Sequence, residues 1–127
     1  MTPIAPTRAA GMLLGLLVVA GCTRMPQVAA PVEPLRARRL LETSLSAWRD
    51  GNAITAVTDA GEPVVIQDFD WMQNRKLAAY EVVGEGLVQD ANLRVEVLLT
   101  FRDSSDPKKV AYIVGTAPKP TVFRSFE

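Results

Sequence analysis

The chain has 127 residues, with 14 Lys and Arg balanced by 14 Asp and Glu, no histidine and a single cysteine. Balanced charge leaves no electrostatic attraction for nucleic acid or an anionic membrane face. The missing histidine removes His-based triads, His-liganded metal sites and the commonest general base near neutral pH, and one cysteine closes no internal disulfide.

In chain order, the first feature is the apolar run MLLGLLVVAGC at residues 12–22, preceded by a segment whose only charge is Arg8. A membrane-crossing helix needs about 20 apolar residues. This run is about half that, the size of the apolar core of a secretory signal peptide. Val19-Ala20-Gly21-Cys22 resembles the lipobox of bacterial lipoproteins, in which a branched residue and two small ones precede a cysteine that is acylated before cleavage. The resemblance implies a signal peptide over residues 1–21 and a mature N-terminus at Cys22 carrying acyl chains such as palmitate. It places the protein in the bacterial cell envelope, attached to membrane through lipid. Thr23 follows the cysteine where an aspartate would mark inner-membrane retention, so the same resemblance favours the outer membrane, facing the periplasm. Without Arg8 the chain keeps 13 basic against 14 acidic side chains.

Residues 22–34 read as a tether, with Pro26, Pro31 and Pro34 among small residues, a composition that favours extended chain over packing. Its twelve residues after the cysteine reach roughly 40 Å when stretched. A helical pattern follows over residues 35–50. Ala37, Leu40, Leu41, Ser44, Leu45, Ala47 and Trp48 fall on one arc, while Arg36, Arg38, Arg39, Glu42, Thr43, Ser46 and Arg49 fill the other. Pro34 suits the first helical position and Gly51 the left-handed residue beyond the end.

Strand patterns occupy the rest. Residues 64–67 follow turn signals at Asp59, Gly61 and Pro63, and residues 76–83 run up to a break at Gly84 and Gly86. Over 92–102 the residues Leu93, Val95, Val97, Leu99 and Phe101 alternate with Arg94, Glu96, Leu98, Thr100 and Arg102, which defines one core face. A polar turn at 103–109 leads to 110–114. Residues 121–126, after Pro118 and Pro120, read as an edge strand or a tail along the sheet.

These elements predict an α+β domain over 35–127: one N-terminal helix packed on a curled antiparallel sheet of four to five strands, closing a single small core. The pattern resembles the cystatin-like and NTF2-like group. The segments that carry it are AWRDG (47–51), KLAAYEV (76–82), VEVLLTF (95–101), AYIV (111–114) and VFR (122–124). The resemblance implies a pocket between helix and sheet, with Trp48, Trp71, Tyr80, Leu99 and Tyr112 as candidate lining residues. Members of the group serve as enzymes and as non-catalytic modules, so the fold does not choose between them.

An isomerase-type site needs a carboxylate base facing a hydrogen-bond donor, for which Asp68 or Asp70 with Tyr80 or Tyr112 would serve. However, DFDWMQN at 68–74 reads as a strand end and turn, where aspartates accept backbone hydrogen bonds. Trp48 lies mid-arc and reads as core; Trp71 is open between core and cleft. Arg36, Arg38 and Arg39 sit beside the tether, where lipid headgroups or a solvated helix face account for them. Asp90, Asp103 and Asp106 lack calcium-loop spacing, so no metal or cofactor is expected. The expected function is a lipid-anchored envelope protein with a non-catalytic binding or scaffolding domain, its partner an envelope protein or small ligand. The alternative is an NTF2-like enzyme with an aspartate acid/base site.

Overall fold

A computed structural model describes residues 30–126; the expected signal peptide, the lipobox-like residues and Cys22 lie outside them. Helix α1 spans Pro34–Arg49 and buries Ala37, Leu40, Leu41, Ser44, Leu45 and Trp48, with Ala47 half-buried beside them. Pro34 starts it with a preset φ. At the other end Gly51 takes φ +87°, and the Gly51 and Asn52 N–H groups return to the Trp48 and Ala47 carbonyls at 3.0 and 2.9 Å, satisfying carbonyls the helix leaves open. The buried Ser44 hydroxyl donates to the Leu40 carbonyl at 2.9 Å.

A 3-10 turn at Ile54–Ala56 leads to a two-strand hairpin, β1 (Thr58–Asp59) and β2 (Glu62–Pro63), then β3 (Val65–Gln67) and the short helix α2 (Phe69–Met72). Strands β4 (Leu77–Gln89), β5 (Asn92–Phe101), β6 (Lys108–Gly115) and β7 (Thr121–Arg124) follow. The main sheet has the order β3-β7-β6-β5-β4. In β5, Leu93, Val95, Val97, Leu99 and Phe101 are buried. Across the register they face Val110, Tyr112 and Val114 of β6, and β7 adds Val122 and Arg124 to that face. Helix α1 covers it.

Three expectations are corrected. The sheet is mixed rather than antiparallel, because β3 pairs with β7 in parallel; the chain passes through β4, β5 and β6 in between, ample length for a parallel return. Strand β7 is not an edge: it lies between β3 and β6. Pro118 and Pro120 precede it instead of lying within it, so its amides remain available on both sides. Nor does β4 stop at Gly84. Gly84 and Gly86 adopt φ +74° and +92° and absorb a register shift between Val83 and Leu87, a bulge that carries the strand on to Gln89.

Packing starts ahead of α1, since Val32 is buried and the Glu33 N–H donates to the Thr116 hydroxyl at 3.3 Å. Helix α1 runs antiparallel to β4: Arg38 donates to the Gly84 carbonyl, and the Ser46 hydroxyl lies 2.7 Å from that of Tyr80. The domain therefore has a proximal end, where the described chain begins beside the β4–β5 turn, and a distal end formed by the C-terminus of α1, α2 and the β5–β6 turn.

Candidate functional site

The distal end is built on a buried ionic cluster. Asp68 closes β3 in extended backbone, and its Oδ1 accepts from the Asp70 and Trp71 N–H groups at 3.0 and 3.3 Å. It is the N-cap of α2, as the turn reading anticipated. The same Oδ1 lies 3.1 Å from Nη1 of Arg124, and Oδ2 accepts from the Tyr112 hydroxyl. Asp70 behaves differently from its expected capping role. Its Oδ2 lies 3.0 Å from Arg124 Nη1 and its Oδ1 3.4 Å from Arg75 Nη1, and Arg75 continues to Asp103 at 3.1 Å. Asp68 already accepts from the first-turn amides, Asp70's own among them, and the Asp70 carboxylate turns to the two guanidinium groups.

Sheet register explains the convergence. Gln67 pairs with Phe123 in the parallel β3–β7 ladder, so the next step sets Asp68 alongside Arg124, while Arg124 faces Tyr112 across the β6–β7 ladder. Asp68, Asp70 and Arg124 are only 1 %, 7 % and 5 % exposed. Charges so deep are tolerable only as partners, because an unpaired buried ion carries a desolvation cost of several kcal/mol. Burial holds the Tyr112 hydroxyl well above the usual tyrosine range, and the Asp68 charge and hydrogen bond add to the effect. Asp68 has donors on both oxygens. Asp70 Oδ2 is buried without an aligned hydrogen bond despite its short distance to Arg124.

Around this cluster the distal end is aromatic. Trp48 and Trp71 stack with centroids 5.3 Å apart and planes 4° from parallel; Trp48 also meets Phe101 edge-on at 5.8 Å and donates its indole N–H to the Arg75 carbonyl at 2.8 Å. The Arg75 guanidinium lies 3.7 Å over the Phe101 ring. Beside the tryptophans opens a cleft of about 320 Å³ bounded by Asn52, Ile54, Met72, Asn74 and Arg75. A second hollow of about 270 Å³ lies across α2, walled by Phe69, Phe126 and Met72 with Arg124 at its base. Phe69 and Phe126 stack at 6.0 Å, and Arg124 sits 4.4 Å from the Phe69 ring. Met72 borders both spaces.

The five expected lining residues do not share one pocket, because the helix and sheet pack closely together. Trp48 and Trp71 edge the distal cleft, Leu99 is fully buried and Tyr112 belongs to the ionic cluster. Tyr80 is half-buried along the flank of α1, where its hydroxyl reaches the Glu42 carbonyl at 3.2 Å above a shallow hollow lined by Arg39 and Glu42. Sequence reasoning missed Arg124, Arg75, Phe69, Met72 and Phe126. A signal for Arg124 existed: two-residue periodicity sets it on the same face as Val122, so β7 carries a cation toward the core. Among the described residues, no group of three or more acidic, cysteine or histidine side chains could hold a metal ion. The chain matches no protein-family model, and searches of curated proteins and of solved structures returned no match.

Proposed function

We propose that this protein is a lipid-anchored component of the bacterial envelope whose domain, of the cystatin-like or NTF2-like kind, binds a partner non-catalytically through its distal end. The observation that carries the reading is the division of labour around α2. The carboxylates are tied up below, by Arg124, Tyr112, Arg75 and the cap amides, while Phe69, Met72 and Phe126 stay exposed above. Exposed apolar groups flanking hollows suit recognition of an apolar surface or ligand, and Asp68, with donors on both oxygens, suits proton abstraction poorly. The lipobox resemblance supports the anchor; among the described residues no helix is long and apolar enough to cross a membrane.

Two measurements test this. Cys22→Ser should release the protein from membranes, and continued sedimentation at unchanged processed mass would sink the anchor. A photo-crosslinking residue at Met72 should capture a discrete partner in cells, lost on Phe126→Asp, whereas one at Glu81, exposed in mid-β4, should not. No adduct at Met72 would remove the distal-end reading. The second reading, an aspartate-based enzyme, draws on the unaligned Asp70 Oδ2. A turnover found in a substrate screen and abolished by Asp70→Asn, with folding intact, would favour it.

A further inference from the structure

The proximal end carries its own apolar set. Leu35, Leu87 and Val88 are 78 %, 58 % and 52 % exposed. They gather where the chain enters. Leu35 lies in the first turn of α1, whose neighbour Glu33 is bonded to Thr116; Thr116 follows Gly115, which pairs with Asn92, and Asn92 pairs with Gln89 beside Val88 and Leu87. From this the geometry points to a membrane contact: the proximal end rests on the phospholipid surface through Leu35, Leu87 and Val88. The inference builds on the lipid anchor proposed above.

Chain length decides between the two apolar ends of the domain. From Cys22 to Ala30, where the described chain begins, is eight residues, or about 26 Å when fully extended. Strand β4 alone has 13 residues, about 43 Å at the usual rise of a strand, so the distal end stands a strand length beyond the tether's attachment. An acylated Cys22 therefore keeps the proximal end at high local concentration next to the bilayer.

Charge decides the kind of surface. Arg36 is paired with Asp59 at 2.8 Å and Glu33 at 3.4 Å, and Arg38 lies 3.8 Å from Glu42. Exposed Lys119 and half-buried Arg94, which pairs with Leu87 across the β4–β5 ladder, lie at the same end as exposed Glu85 and Asp90. With cations and carboxylates there nearly balanced, the contact is apolar, suits zwitterionic phospholipid and does not weaken with salt.

The test uses the full chain, processed and purified from membranes, in vesicles of phosphatidylethanolamine and phosphatidylcholine with brominated acyl chains, which quench a tryptophan only on close contact. Leu35→Trp and Leu87→Trp place probes at the proximal end and Met72→Trp at the distal end; native Trp48 and Trp71 are buried and serve as the unquenched background. The expected result is a loss of about half the probe's emission for Leu35→Trp and Leu87→Trp, unchanged in 0.5 M salt, where the Debye length falls to about 4 Å, with Met72→Trp unaffected. Mass spectrometry reads acylation of Cys22 separately. Unquenched Leu35→Trp and Leu87→Trp probes on an acylated chain overturn the surface contact alone, as does equal quenching of Met72→Trp or release of quenching by salt. An unacylated Cys22 overturns the anchor and the contact with it.

Discussion

Replacing Arg124 with Met removes the cation that holds two buried carboxylates while keeping a side chain of similar reach. Arg124 Nη1 lies 3.1 Å from Asp68 Oδ1 and 3.0 Å from Asp70 Oδ2, and Asp68 is almost wholly sealed from solvent. Breaking a buried ion pair by removing one partner costs about 3 to 5 kcal/mol, because the stranded charge keeps its desolvation cost. Asp68 retains its two cap amides and Tyr112, which places the loss within that range instead of above it. A domain of this size holds about 5 to 15 kcal/mol in total. At a urea slope of about 1.5 kcal/mol per M, the midpoint for Arg124→Met should fall by about 2 to 3 M, followed through the emission of the stacked Trp48 and Trp71. Adding Asp68→Asn and Asp70→Asn to Arg124→Met should then recover at least about 1 kcal/mol, since the stranded charges are gone. If Arg124→Met unfolds within about 1 kcal/mol of the parent, or neutralising the aspartates recovers nothing, the cluster does not stabilise the distal end as argued.

Leu99→Ala should cost about 2 to 5 kcal/mol by opening a cavity in the core, whereas half-buried Leu98 on the opposite face should cost less than about 1.5 kcal/mol; equal losses in urea melts would mean that both faces of β5 are covered. Tyr112→Phe leaves Asp68 Oδ2 without its side-chain donor and should cost about 1 to 3 kcal/mol. Because the folded Tyr112 hydroxyl ionises well above its ordinary range, its contribution is complete below about pH 10, where unfolded tyrosine begins to ionise, and declines as pH rises through the folded value. Melting temperature from pH 9 to 11 should therefore fall in the parent and flatten in Tyr112→Phe, and parallel curves would refute the assignment. Gly86→Ala imposes φ +92° on a residue whose Cβ would meet the Arg94 carbonyl oxygen and Leu93 Cγ at 3.1 Å each. It should cost about 1 to 2 kcal/mol from the backbone alone; an unchanged melting temperature would show that the β4 bulge relaxes freely.

Local pattern was enough for the elements whose cause is local. The apolar arc of α1 and its stop at Gly51 follow from helical periodicity and a left-handed terminus, the core face of β5 from strict alternation, and the Asp68 cap from an acceptor one residue ahead of a turn. Long-range closure decided the remainder. That β3 returns in parallel beside β7, that β7 sits inside the sheet and that β4 continues through Gly84 depend on which strands meet, and a periodicity reports only which face of one strand is apolar. The ionic cluster shows the same limit most clearly. Asp68 and Arg124 are 56 positions apart, and each read alone is a polar residue at the end of a short strand. Only the parallel register sets them side by side in the interior, where the low dielectric makes each charge tolerable because the other is there.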